Sequence, residues 1–255
     1  MFDIYILNLC AEQKRRYMCE GALFAMQTPF DRLKRWSAID DLNYEKTRDV
    51  LEDAIADGFP AFQSYLDKGQ QNEYNITVYT QMWNYCRFWR YLVKLGETVM
   101  IIQDDRKLCI PYLALQEIVQ SLREFDPEFQ FLSLWCKHFA MNAADFPIRW
   151  ISEGSPIAYG IFEGGADTGH IVTPKGAEWL IDNVIGFFPP RVEYAVRALC
   201  HKKEHFYTLA DEDVNLDHLV PDNRAYLSGR ILNRKSPDGL VRSIHTTSDD
   251  HTLAK

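Results

Sequence analysis

The chain alternates between short apolar runs and longer segments in which apolar residues recur every three or four positions. The runs predict buried strands at 2–9, 33–39, 98–102 and 129–135, and the recurring pattern predicts helices between them. Such alternation is typical of an open sheet with parallel strands. We therefore expect an α/β domain with a mixed, mostly parallel sheet flanked by helices.

The clearest predicted helix covers residues 76–95. Its apolar stripe recurs at helical spacing: Val78, Met82, Tyr85, Cys86, Trp89, Leu92 and Val93. Gly96 stands where a C-terminal cap belongs. A stripe of this kind is more typical of a helix face packed on the sheet than of a cofactor site. Further helices are expected before Pro29 and at 43–56, 112–125, 173–185 and 191–200. Short strands are expected within 147–162 and at 170–173.

No repeat or linker divides the chain, so we expect one domain over 1–233 and a polar, mobile tail over 234–255. The longest apolar runs are far shorter than a membrane-spanning helix requires, so no transmembrane segment is expected. The start of the chain lacks the features of a secretory signal. Six scattered cysteines form no Cys-x-x-Cys pair. We therefore expect reduced thiols and a cytoplasmic location.

Acidic residues outnumber Lys and Arg by 36 to 28, and the net charge is -8. A chain this acidic offers no broad basic face, which argues against nucleic acid as a partner. An anionic small ligand remains compatible, because a few local cations and a helix N-terminus suffice to bind a phosphate.

Two adjacent carboxylates, Asp104 and Asp105, follow the predicted strand at 98–102. Ligands of parallel α/β sheets gather beyond the carboxyl ends of strands. Carboxylates placed there offer the hard oxygen ligands that Mg²⁺ and Mn²⁺ prefer, often together with diphosphate oxygens. The alternative is a solvated turn, which an Asp pair also favours.

Four segments, in order, resemble glycosyltransferase family 25, the lipooligosaccharide and procollagen galactosyltransferase-like enzymes. The segments are Ile4-Tyr5-Ile6-Leu7-Asn8-Leu9 with Arg15-Arg16 and Met18, then Phe30 with Arg35-Trp36-Ser37-Ala38-Ile39-Asp40, then Leu95-Gly96 with Met100-Ile101-Ile102-Gln103-Asp104-Asp105, and His170-Ile171-Val172-Thr173-Pro174-Lys175-Gly176-Ala177. Each motif alone is weak, but their order makes the match more specific. The resemblance covers roughly residues 2–195.

This resemblance implies a GT-A-like fold, a nucleotide-diphosphate sugar as donor, a glycan or other hydroxyl acceptor, and Mn²⁺ or Mg²⁺. It implies that Ile6, Leu7 and Asn8 lie where the nucleotide base binds. Arg15 or Arg16 would contact a phosphate or the base, and Asp40 the base or ribose. Asp104 would contact the ribose or the metal, and Asp105 the metal.

The resemblance also implies inversion at the anomeric carbon, which needs a general base. Glu193 and Asp167 are the two candidates, and His245 is a candidate third metal ligand. Ordinary alternatives are a helix-start residue for Glu193 and a turn residue for Asp167. The chain departs from the family pattern at Gln103, which replaces an acidic residue, and at His170, which replaces a tyrosine.

Two rival functions remain in view. A degenerate transferase would bind a nucleotide sugar or glycan without catalysis, and the neutral Gln103 favours it. A metal-dependent phosphatase would need a nucleophilic Asp after the first strand, where the chain has Asn8. A dehydrogenase is disfavoured because no Gly-x-Gly-x-x-Gly follows that strand.

Overall fold

The computed structural model describes residues 1–9, 13–67, 75–134, 149–160, 169–187, 191–200, 203–209 and 216–218. The strands are β1 (Ile4–Leu9), β2 (Leu33–Ala38), β3 (Val99–Gln103), β4 (Arg106–Leu108), β5 (Phe131–Ser133), β6 (Ile157–Tyr159), β7 (Gly169–Val172), β8 (Phe206–Leu209) and β9 (Leu216–His218). The helices are α1 (Gln13–Ala25), α2 (Thr47–Ala56), α3 (Gln63–Asp67), α4 (Asn75–Leu95), α5 (Tyr112–Phe125), α6 (Pro174–Val184) and α7 (Val192–Cys200).

Seven strands form one sheet in the order β2-β1-β3-β7-β5-β8-β6. Strand β1 pairs in parallel with both β2 and β3, and β5 pairs in parallel with β8. The other pairings, β3 with β7, β5 with β7 and β6 with β8, are antiparallel. The sheet is therefore mixed, as predicted. The expected predominance of parallel pairs is not seen, because β7 lies between β3 and β5 and is antiparallel to both.

Successive residues of the strands point to opposite faces of the sheet, and each face packs against its own hydrophobic core. Tyr5, Val99 and Ile101 pack with α2, α3, α4, α6 and α7 on one face. Ile4, Ile6 and Met100 pack with α1 and α5 on the other. A sheet covered by helices on both faces must have apolar strands throughout, which explains the unbroken apolar runs of β1 and β3.

Most predicted elements are confirmed within a few residues, and the match is closest for α4 and α5. Helix α2 begins at Thr47, later than predicted, and β5 is shorter than the apolar run that predicted it. Strands β4, β8 and β9 were not predicted. Among the cysteines that the structure describes, Cys19, Cys86 and Cys200 are buried free thiols, as expected. The predicted tail at 234–255 lies outside the described residues.

The start of α6 is anchored to the backbone that precedes β5. Thr173 caps the helix by accepting a hydrogen bond from the Gly176 N–H at 3.1 Å, and Pro174 occupies the first turn. The Thr173 N–H donates to the Gln130 carbonyl at 3.0 Å. Gly176 passes the same carbonyl so closely that a Cβ would lie 2.2 Å from its oxygen. The Thr-Pro-Lys-Gly segment therefore has a structural role that joins α6 to the sheet.

His170 lies within β7 and is fully buried. It stacks on Phe131 with ring centroids 4.8 Å apart, and its Nε2 accepts a hydrogen bond from the Trp89 indole at 3.3 Å. Because an indole N–H can only donate, Nε2 must carry a free lone pair. The structure thus places His170 in the apolar core.

Asp126 joins the end of α5 to the starts of β5 and β8. Its carboxylate accepts from the Tyr207 hydroxyl at 2.7 Å and pairs with Nδ1 of His205 at 2.8 Å. His205 has a left-handed φ of 67°, and its carbonyl accepts from the Gln130 N–H. His205 therefore lies after α7, which ends at Cys200.

We expect the stability that Asp126 contributes to depend on pH. Burial raises the pKa of Asp126, but the hydrogen bonds from Tyr207 and His205 outweigh it and hold the pKa below its ordinary 3.8. A carboxylate whose pKa is lower in the native state than in the unfolded state stabilises the native state at pH values above its unfolded-state pKa. That stabilisation is lost as the pH falls through the native-state pKa. Asp126→Asn should therefore cost about 2 kcal/mol of unfolding free energy at pH 7. The cost should shrink below about pH 4.

Urea unfolding of both proteins at a series of pH values measures this difference. Glu124→Gln, an exposed change at the end of the same helix, is the matched control and should have little effect. A cost for Asp126→Asn that is equal at pH 3 and pH 7 would contradict the assigned role.

Candidate functional site

The carboxyl ends of β1 and β3 bring the predicted acidic pair next to the first strand. The two strands are parallel neighbours, and Leu7 lies opposite Gln103. The following residues, Asn8 and Asp104, therefore meet beyond the sheet hydrogen bonds. The Asn8 amide donates from Nδ2 to Oδ2 of Asp104 at 2.6 Å. An asparagine in the buried first strand thus positions one carboxylate.

Helix α1, which follows β1, turns Arg15 into this cluster. Nη2 of Arg15 lies 2.5 Å from Oδ1 of Asp104 and 3.6 Å from Oδ2 of Asp105. Arg106, the first residue of β4, places its Nε 3.3 Å from Oδ1 of Asp105. Each of the four carboxylate oxygens of the pair is therefore within 3.6 Å of a nitrogen donor.

All five side chains of this cluster are buried, with residue exposures between 2% for Asn8 and 8% for Asp105. Isolated charges at such burial would be costly, so the pairing of two carboxylates with two guanidinium groups is what makes the cluster tolerable. The solvated-turn interpretation of Asp104 and Asp105 is wrong, because a solvated turn does not bury its carboxylates.

Cys19 lies one turn further along α1, beneath the acidic turn. Its thiol lies 3.4 Å from the carbonyl oxygen of Arg106 and is fully buried. Burial, together with the Asp104 and Asp105 carboxylates, raises the pKa of the thiol well above its ordinary value. The thiol therefore stays protonated and donates to the backbone that carries the acidic pair.

The structure places the other predicted binding residues in surroundings different from that of the acidic pair. Arg16 points away from the cluster and pairs with Glu20 at 3.2 Å, so Arg15 is the arginine beside the carboxylates. Ile6 is fully buried in the core shared with α1 and α5, and Leu7 packs on the opposite core. Asp40 caps a short 3₁₀ segment by accepting from the Leu42 N–H at 3.1 Å.

Three predicted residues lie partly or wholly beyond the described part of the chain. Asp167 and His245 lie outside the described residues. The backbone of Glu193 lies in the first turn of α7, and its side chain is not described. The structure therefore assembles Asn8, Asp104 and Asp105 and leaves the choice of general base as a prediction.

Sequence reasoning missed Arg106 and left the choice between Arg15 and Arg16 open. One signal for a nearby anion was available, although it does not choose between the two arginines: the first turn of α1 holds basic residues and no acidic one, whereas the helix dipole favours acidic side chains there. A cation at that position indicates a nearby anion. In this fold the anion is supplied by the Asp pair.

Carboxylate oxygens such as those of Asp104 and Asp105 are the kind of ligand that small divalent cations such as Mg²⁺ and Mn²⁺ prefer. Such ions are commonly held by one or two carboxylates, with substrate phosphates and waters completing the sphere. Asp104 and Asp105 supply two carboxylates at one turn. No group of three or more His, Cys, Asp or Glu residues that could hold a metal occurs within the described ranges. Substrate oxygens would therefore have to supply the further ligands.

No protein-family model matches the sequence, and no curated protein is significantly similar to it. Among the helices that the structure describes, none combines the length and apolar character needed to cross a membrane.

Proposed function

We propose that the chain is a glycosyltransferase with a GT-A-like fold that transfers a sugar from a nucleotide-diphosphate donor to a hydroxyl of a glycan or other acceptor. The observation that carries the proposal is the buried Asn8–Asp104–Asp105 arrangement at the carboxyl ends of two parallel strands. Ligands of open α/β sheets bind at this position. The ordered resemblance to glycosyltransferase family 25 supports the same activity.

Asp104 and Asp105 are the residues that would hold Mn²⁺ or Mg²⁺. When bound, the ion neutralises the charge that develops on the departing nucleoside diphosphate. Asn8 fixes Asp104 through one oxygen, which leaves less freedom for that carboxylate to rotate. Arg15 adds a fixed cation to the same position.

The donor nucleoside is proposed to lie over the ends of β1 and β2. Asn84 of α4 holds the chain there, because its side chain accepts from the Ile39 N–H at 2.8 Å and donates to the Ile39 carbonyl at 3.0 Å. This clamp fixes the backbone next to Asp40, the predicted base or ribose contact. Sugar transfer with inversion then requires a general base, for which Glu193 and Asp167 are the candidates.

The test is an assay of the purified protein with Mn²⁺, a panel of nucleotide-diphosphate sugars and a mixture of glycan acceptors. We expect transfer, or slow hydrolysis of one donor, that disappears when the metal is chelated. Absence of transfer, hydrolysis and donor binding across the panel would refute the proposed function.

A second candidate, a protein that binds a nucleotide sugar or glycan without turnover, is favoured by one observation. Both carboxylates of the pair are already in ion pairs, with Arg15 and Arg106. Calorimetry separates the two candidates. Donor binding without turnover, and without dependence on metal, would favour the non-catalytic protein.

A further inference from the structure

We infer that Arg15 competes with the divalent cation for Asp104 and Asp105. The cation therefore binds tightly only when a diphosphate is present and replaces the two carboxylates as the ion-pair partner of Arg15. This inference rests on the proposed function and concerns how its metal site is controlled. The affinity of the site for metal would thus depend on Arg15 of α1 as well as on the two acidic ligands.

The geometry of the cluster sets up the competition. Nη2 of Arg15 contacts Oδ1 of Asp104 at 2.5 Å. A cation–oxygen bond of about 2.1 Å to that same oxygen would place the ion within roughly 5 Å of the guanidinium nitrogen. The same nitrogen lies 3.6 Å from Oδ2 of Asp105, the second carboxylate of the pair. A cation held by these two carboxylates would therefore lie close to the Arg15 charge.

Burial makes this repulsion effective. Arg15 and Asp104 are each 5% exposed, so water screens their charges poorly. Among the described side chains of the cluster, two carboxylates face two guanidinium groups, so a divalent ion arriving alone adds unbalanced positive charge. A diphosphate brings negative charge with it and offers two oxygen acceptors to the planar guanidinium, which can bind them in a bidentate manner.

Arg16 provides a matched comparison within the same helix. It carries the same charge and pairs with Glu20 on the partly exposed side of α1. Replacing either arginine by glutamine changes the net charge of the protein by the same amount. A difference between the two variants therefore reports position and not overall charge.

The experiment is calorimetric titration of MnCl₂ into the full chain, alone and with saturating uridine, guanosine, cytidine or adenosine diphosphate. For Mn²⁺ alone, we expect Arg15→Gln to bind about tenfold or more tightly than the wild type, because a buried countercharge is removed. Arg16→Gln should match the wild type. With a bound nucleoside diphosphate, the wild-type affinity for Mn²⁺ should rise, and the rise should be smaller in Arg15→Gln.

Equal Mn²⁺ affinities of the wild type, Arg15→Gln and Arg16→Gln would overturn the inference, even if donor binding and transfer are observed. Failure of the proposed function has a different signature. In that case the wild type binds no nucleoside diphosphate and transfers no sugar, while the effect of Arg15→Gln on Mn²⁺ alone persists and still supports the competition.

A second variant tests whether the Mn²⁺ that binds to Arg15→Gln is held by the acidic pair. Arg15→Gln combined with Asp104→Asn replaces the buried pair by neutral side chains of similar size, which avoids an uncompensated charge. Melting curves with and without Mn²⁺ are then compared. We expect Mn²⁺ to raise the melting temperature of Arg15→Gln and to leave that of the double variant unchanged. Equal Mn²⁺ shifts in the two variants would also overturn the inference.

Discussion

Replacing Gly176 by alanine should strongly destabilise the protein. An alanine Cβ would lie 2.2 Å from the Gln130 carbonyl oxygen and 2.9 Å from its carbon, both of which are backbone atoms. Backbone cannot rotate away as a side chain can, so α6 must move relative to β5. We expect a loss of about 3 kcal/mol or more. For a chain of this size, that loss lowers the melting temperature by roughly 6–12 °C.

Gly21→Ala is the matched control for this substitution. Gly21 also lies in a helix, α1, but within the described part of the chain a Cβ there would meet no atom within 4 Å beyond its own helix backbone and chain neighbours. Alanine should therefore stabilise that helix by about 0.5–1 kcal/mol. Thermal melting of the two variants measures both effects. If the melting temperature of Gly176→Ala equals that of the wild type, α6 is not anchored to Gln130 in this way.

Replacing Asp104 or Asp105 by asparagine should abolish most of the proposed sugar transfer. Each change keeps the size of the side chain but removes a charged ligand from the buried turn. We expect turnover to fall by about 10²–10³-fold, as when one electrostatic contact to a transition state is lost. The same change leaves a guanidinium group without one of its carboxylates, so stability should also fall, by about 3 kcal/mol. The assay must therefore be run well below the measured melting temperature.

Asp31→Asn is a suitable control, because Asp31 is an aspartate whose side chain is 80% exposed. It should retain wild-type turnover and stability. If Asp104→Asn and Asp105→Asn both remain fully active while folded, the acidic turn does not take part in the reaction. The proposed function would then lose the observation that carries it.

The sequence predicted strands β1 and β3 well, and the apolar residues of both strands pack against helices on the two faces of the sheet. Strands β1 and β3 are almost purely apolar, and their ends are marked by the first polar side chains, Asn8 and Gln103. Parallel pairing then puts those ends at one edge, so the meeting of Asn8 with Asp104 follows from the order of the elements. Strand β8 was missed because it follows directly on the left-handed His205 and contains only four residues.

The electrostatic partners of the acidic pair could not be predicted in the same way. Arg15 and Arg16 are adjacent, and only the rotation of α1 about its axis decides which one faces the sheet. That rotation is set by the buried contacts of Cys19 and Leu23. Arg106 faces inward because β4 begins directly after Asp105, and nothing in the local sequence marks so short a strand.

Strand β4 has a consequence for how far the folded unit extends along the chain. It begins at the residue after Asp105, and its backbone partner is β9, with Arg106 opposite His218. A version of the protein shortened to Leu209 would keep the whole seven-stranded sheet yet leave β4 without that partner. The smallest fragment that preserves the support of the acidic turn therefore ends beyond His218, more than one hundred residues after the carboxylates themselves.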